Sequence, residues 1–302
     1  MLGLGKPKPV AEYEATGEIA RVYHEIRQTM RVSGINLNFR TWASFEKFFP
    51  AMWDAMRPNV ETLAFEEAAD EVRNAAVQQA MGWSSLNVKE ASHLGESQCY
   101  QVQAALALYH YINPKLLVFT SAVTMALEGE EVGGRNGVNS QKAEHGVPAR
   151  MYPMEMEADE PEDKRLRELF EDIKQTLDLD SINSDYRTLA LWPDYLEAAW
   201  RSLKPITQQS DFRAASESLL VSSRQLAKAL PCKVELSRQQ VEELGEDAAK
   251  VLQTSQRFEQ LLPSLILNIA LLSREWQTPD ALQRSPFPAR TATEAKLPGG
   301  AR

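Results

Sequence analysis

The sequence predicts an all-α protein built from a tandem-duplicated helical unit that forms an intramolecular pseudo-dimer. Three observations predict it. Apolar residues recur at steps of three and four along nearly the whole chain, and no segment carries the period-two alternation of a strand. Sliding the chain by 147 positions lays 23–58 on 170–205 without a gap, giving eleven identities in 36 positions. Between Gly129 and Pro161 the periodicity collapses into Gly, Pro, Asn, Glu and Met, the composition of a linker.

In chain order, Ile19, Val22, Tyr23, Ile26 and Met30 mark the first helix by their spacing on one face. Further helical stretches are expected at 45–56, 62–79, 96–111 and 116–127. After the linker, Leu166, Leu169, Phe170, Ile173 and Leu177 repeat the opening pattern. Stretches at 187–203, 211–230, 237–244 and 247–274 follow, and Ser237 with Gln240 three residues later reads as a capping box. The expected organisation is a first repeat at 10–130, a linker at 131–162, a second repeat at 163–284, and an anchor with a flexible tail at 285–302. Matched pairs in the two repeats include Ile35-Asn36 with Ile182-Asn183, Arg40-Thr41 with Arg187-Thr188, and Trp53 with Trp200; the offset persists to Phe65 and Phe212. A duplicated unit buries the same face twice, so residues kept in both copies read as structural and function is sought where the copies differ.

Composition narrows the function. The formal charge of -9 opposes general nucleic-acid binding, which needs a basic face. The most apolar stretch, 261–272, is broken by Pro263, Ser264 and Asn268 and is too short to span a bilayer, and residues 1–9 hold no signal-peptide run. Cys99 and Cys232 form no CxxC pair, which fits a reducing, cytoplasmic setting. His24, His93, His110 and His145 lack metal-ligand spacing, so no metal is expected. There is neither a nucleotide-binding glycine loop nor a nucleophile elbow.

The copies part chemically at one loop. Asn38 in the first copy stands where the second has Asp185. A carboxylate takes a proton from water and an amide does not. The loop opens a helix, whose free N–H groups suit an anion, so one cradle and one base would serve a single asymmetric site. The alternative is that Asp185 caps its helix.

At this loop the sequence resembles the group I 2-haloacid dehalogenases, which act without a covalent enzyme ester. The resemblance covers most of the chain: Arg31-Val32, Glu66-Glu-Ala-Ala-Asp-Glu71, Tyr111-Ile-Asn-Pro-Lys115, Val132-Gly-Gly134, Ser184-Asp185, Trp192-Pro193, Gln256-Arg-Phe258 and Ser285-Pro-Phe-Pro288. It implies an all-α pseudo-dimer with the site between repeats, and cofactor-free hydrolysis of 2-halocarboxylic acids to 2-hydroxy acids with inversion at C2. It also implies a homodimer in a soluble setting, with a small halogenated acid and water as the only partners. The family's water-activating aspartate matches Asp185, with Ser184 beside it, its asparagine matches Asn113, and a threonine and glutamate needed for activity match Thr62 and Glu66. The implied substrate-binding set is Gly34, Leu37, Leu116, Asn183, Ser255, Phe258, Glu259 and Leu262. Here the chain departs from the pattern, since Gly34, Leu37, Leu116, Ser255 and Glu259 stand where bulky aromatic or aliphatic walls are expected.

From Gly34 and Ser255 an enlarged pocket is expected, with Glu259 facing solvent or paired with Arg257 or Lys115. Asp194, inside the next helix, is expected to be solvated. Other readings are a family-like scaffold acting on a different or larger organic acid, a non-catalytic small-acid binder, and an alkylhydroperoxidase D-like redox protein, against which the missing CxxC counts.

Overall fold

The computed structural model describes residues 7–135 and 140–295. The first half runs α1 (Gly17–Thr29), α2 (Leu37–Trp42), α3 (Phe48–Val60), α4 (Leu63–Ala80), α5 (Val88–Ala91) and α6 (Glu96–Glu128). The second runs α7 (Lys164–Leu177), α8 (Ser184–Leu189), α9 (Pro193–Thr207), α10 (Ser210–Lys228), α11 (Arg238–Glu243), α12 (Ala248–Ser273), α13 (Pro279–Leu282) and α14 (Ala292–Ala295). The fold is all-helical. Among the described residues β pairing is confined to two isolated bridges, Thr62 with Lys142 and Ala143 with Thr291. No described helix is long and apolar enough to cross a membrane, and both cysteines are free.

Local chemistry sets the ends. Thr62, Ser237 and Asp247 cap α4, α11 and α12 by accepting from the amides of Phe65, Gln240 and Lys250. α6 stops at Gly129, whose φ of +89° suits a residue without Cβ. The halves repeat each other in contacts as well as in sequence. The indole of Trp53 donates to Glu25 at 2.8 Å, and Arg57 bonds the same carboxylate. At the positions 147 residues on, Trp200 donates to Asp172 at 2.7 Å and Lys204 bonds it too.

α4 and α6 from the first half interlock with α10 and α12 from the second, and α6 lies along α12. α6 is buried all round from Leu108 to Leu127, so its periodicity fades there into a continuous apolar run. The stretches expected at 96–111 and 116–127 are one helix: α6 runs through the gap between them, Pro114 included. Proline in a helix interior costs about 3 kcal/mol, which the packing of a fully enclosed helix outweighs. The expected helix at 187–203 is instead two, with α8 ending at Leu189 and Pro193 opening α9 at the position where proline is pre-organised.

The linker lies on the body. Leu63 N–H donates to Gln141 O, Ala143 N–H to Glu61 O and Gly146 N–H to Gln28 O, each at 2.8 Å. The C-terminal anchor is also fixed, with Phe287 O accepting from Arg31 and Arg290 paired to Glu144. The tail expected to be disordered forms α14 as far as Ala295, and its remainder, 296–302, lies outside the described residues.

Candidate active site

Asp185 is the second residue of α8, and Asn183 holds the cap position without a side-chain cap bond. Asp185 is therefore not the cap residue, although its carboxylate also meets its own backbone N–H in the first turn. That group is buried, at 4% exposure, and its Oδ1 accepts from Asn113 Nδ2 at 2.7 Å. Burial raises its pKa from 3.8 to about 6; the Asn113 bond and the residue's own backbone N–H pull the other way. A carboxylate poised there is a proton acceptor near neutral pH.

Helix α6 supplies two supports. Asn113, 1% exposed, faces Asp185 directly. Tyr109, one turn earlier, bonds the Ser184 carbonyl at 3.0 Å and Thr188 Oγ1 at 2.7 Å. Thr188 donates its hydroxyl proton to Glu155 O, so it accepts from Tyr109, whose single proton is shared between the two sites. Thus both ends of α8 are pinned to α6. Sequence reading missed Tyr109 and Thr188, because a tyrosine on a buried helix face and a threonine kept in both repeats read as packing.

Several buried polar atoms on the paired loops have no hydrogen-bond partner among the described residues: Asn36 Oδ1, Asn38 Nδ2, Asn183 Oδ1 and Ser184 Oγ. Leaving such atoms unpaired costs about 1–3 kcal/mol each, and they cluster in sequence around the two loops that differ chemically. Asn38, the counterpart of Asp185, turns its Oδ1 onto the Phe39 amide at 2.9 Å. A cavity of about 600 Å³ opens against these loops, lined by Leu37 and Thr41 of the first, Ser181 and Asn183 of the second, and Phe258 and Leu261 of α12.

The expected walls are placed differently from the sequence reading. A Cβ on Gly34 would lie 2.7 Å from Met154 Cβ, so the linker fills the space read as vacant. Ser255 accepts from the Trp42 indole at 3.1 Å, and that ring occupies the second gap. Glu259 is 2% exposed and pairs with Arg224 through two bonds of 2.8 and 2.7 Å, not with Arg257 or Lys115. Its carboxylate is thereby neutralised. Leu116 and Leu262 join the apolar core, while Leu37, Asn183 and Phe258 reach the cavity. Asp194 is solvated, as expected, and bridges Arg165.

Thr62 and Glu66 make no hydrogen bond to Asp185. The Thr62 hydroxyl is engaged at the start of α4, donating to Asn59 O at 2.7 Å. Glu66 accepts from Lys115 at 2.6 Å and from Tyr111, and Arg31 completes the group by bonding Tyr111 and Glu144. Lys115 also reaches Met30 O at 3.1 Å. Burial lowers the Lys115 pKa to about 8, against the pull of Glu66. These ions tie α4 and the first loop to α6, the helix that carries Asn113. Among the described residues no group of three or more His, Cys, Asp and Glu side chains is arranged to hold a metal ion.

Comparison with known proteins matches residues 33–186 to the family described as halocarboxylic acid dehydrogenase DehI. An (R)-2-haloacid dehalogenase of Pseudomonas putida is 29% identical over 272 residues, covering 87% of this chain and 90% of that protein. A configuration-inverting 2-haloacid dehalogenase of Pseudomonas sp. (strain 113) is 32% identical over 225 residues, covering 72% of this chain and 73% of that one. Among solved structures, a D-2-haloacid dehalogenase in complex with L-LA superposes with a TM-score of 0.84 at 26% identity, covering 89% of this chain and 95% of that one.

Proposed function

The chain belongs to the DehI family, and from that premise we propose that it hydrolyses 2-halocarboxylic acids to 2-hydroxy acids by direct attack of a water that Asp185 activates. The observation that carries the assignment of the base is the buried Asp185 carboxylate, held by Asn113 at 2.7 Å with its pKa raised to about 6. The family description speaks of a dehydrogenase, but the relatives named above are dehalogenases, and one poised carboxylate is the equipment of hydrolysis.

The steps balance simply. Water loses a proton to Asp185 as its oxygen bonds C2, the carbon–halogen bond breaks on the opposite face, and halide leaves without needing a proton. Configuration at C2 inverts. Asp185 then releases its proton to solvent. Asn113 fixes the carboxylate, so attack follows one line. The unspent groups of Asn183 and Ser184, next to the base in sequence, are the candidates for holding the substrate carboxylate.

The fold serves this as an intramolecular pseudo-dimer. The paired bonds of Trp53 with Glu25 and Trp200 with Asp172 support that reading. Each copy contributes one loop, and only the second carries a base. Single turnover in oxygen-18 water tests the chemistry: label is expected in the product and not in Asp185. Label in Asp185 would mean a covalent ester and a different mechanism.

A further inference from the structure

We propose that the cavity closed by the C-terminal anchor is a second ligand site, which takes a small hydroxy-carboxylate with an apolar body and holds it through His110 and two arginines. The cavity measures about 640 Å³ and lies between α6, the end of α12, α13, Arg150 of the linker and residues 284–287. That is the size of a small-molecule site. It shares no lining residue with the cavity at the two loops. Its lining includes Arg150 and Arg284 and no carboxylate, although the chain as a whole carries a charge of -9. Neither arginine forms an ion pair with a described residue. Charge of one sign facing a cavity attracts the opposite sign, whatever the net charge.

His110 lines the same cavity, at 4% exposure. Its Nε2 meets the Leu282 carbonyl at 2.8 Å, and a carbonyl only accepts, so Nε2 carries the proton. Burial, aided by Arg73, lowers the ring's pKa to about 4 against the pull of that carbonyl, which leaves it neutral at neutral pH. Nδ1 is therefore a bare acceptor. It takes no bond from a described residue and is not among the enclosed polar atoms that lack one, so the space it meets is the cavity. A hydroxyl satisfies it and a halogen does not, having no proton to donate. Leu106, Trp276 and Phe287 supply apolar surface for the ligand's body. The anchor is fixed at two points: Leu282 by His110, and Phe287, whose carbonyl accepts from Arg31 at 3.1 Å and whose ring meets Tyr111 edge-on at 5.4 Å. Under the haloacid reading this ligand class is that of the product, but the site rests on the cavity and not on that reading.

Binding is titrated calorimetrically with 3-phenyllactate and with 3-phenylpropionate, which lacks only the hydroxyl. One net hydrogen bond is worth about two- to tenfold in affinity, so wild type is expected to prefer phenyllactate by that factor. Arg150→Gln with Arg284→Gln, both at exposed positions, is expected to weaken both acids by about two- to tenfold. His110→Leu is expected to remove the preference between them. Nitrogen-15 NMR of the wild-type imidazole needs no variant to fold: the Nδ1 resonance is expected to shift with phenyllactate and to stay in place with phenylpropionate. An Nδ1 resonance unmoved at saturating phenyllactate, or wild-type affinity retained in the double arginine variant, overturns the proposal and places any binding elsewhere on the chain. Halide release enters none of these readouts, so the second site and the dehalogenase reading fail separately.

Discussion

At the scale of single residues, the proposed site turns on one difference between two similar loops, Asp185 against Asn38. Asp185→Asn is expected to abolish turnover, with Asn38→Ala far milder, because only the carboxylate accepts a proton. The same substitution is expected to raise stability. A carboxyl whose pKa rises on folding from 3.8 to about 6 binds its proton more tightly in the folded chain. Its cost is absent below about pH 4, grows as pH rises to about 6, and reaches roughly 3 kcal/mol above that, at 1.36 kcal/mol per unit. The asparagine variant should therefore melt higher at pH 8 and lose that advantage at pH 4; an equal Tm difference at both values would show the carboxylate to be well solvated. In kcat/KM, the ascending limb is expected near pH 6. Asn113→Ala removes the bond that holds the Asp185 pKa down, so that limb should move upward while the maximum falls. A limb that stays in place would mean that Asn113 serves the substrate and not the base.

At the scale of elements, α6 is the organiser, pinning α8 through Tyr109 and Asn113 and the first loop through Lys115. Lys115→Met leaves Glu66 buried with one donor fewer, and breaking a buried pair on one side typically costs about 3–5 kcal/mol. The expected result is a Tm loss of several degrees together with a fall in kcat, both partly restored by Lys115→Arg. A Tm loss with kcat intact would show that the ion cluster does not position the site. Much of this organisation is legible in the sequence, because amphipathic spacing reports each helix and the offset of 147 reports the repeat. The contrast of Asp185 with Asn38 is legible for the same reason, as a chemical change inside a repeated frame. What the sequence hides is tertiary. Gly34 reads as empty space because nothing local marks Met154, 120 positions away, as its cover. Ser255 reads likewise, since its neighbour Trp42 comes from the other half. Glu259 has plausible partners nearby in sequence, but Arg224 on α10 takes it. The two stretches at 96–111 and 116–127 are one helix because a helix enclosed on all sides tolerates Pro114 where a surface helix does not.

At the scale of the whole molecule, the question is whether the repeats are separable domains. α6 and α12 lie along each other, with α4 and α10 interlocked around them, so each half supplies half of one core. Polar contacts cross the same seam: Asn113 to Asp185, Ser121 to Ser223, Trp42 to Ser255 and Gln256 to Glu128. A fragment ending at Glu130 would keep α6 and lose α10 and α12. Leu116, Leu117, Val118, Phe119 and Val123 are at most 3% exposed in the intact chain. Fully exposing side chains of this kind costs about 1.5–3 kcal/mol each. Only part of that surface faces the lost half, but two or three such residues already rival the roughly 5–15 kcal/mol by which a domain is stable. The buried Asn113 and Ser121 would also lose their partners. The fragment Met1–Glu130 is therefore expected to aggregate, or to bind a hydrophobic dye and melt without a cooperative transition, while the intact chain unfolds in one step. Co-expression with a fragment spanning 131–302 should recover soluble, halide-releasing protein, because the missing surface is supplied in trans. A monomeric first fragment with a sharp transition of its own would show that the repeats fold independently and that the seam joins two finished cores.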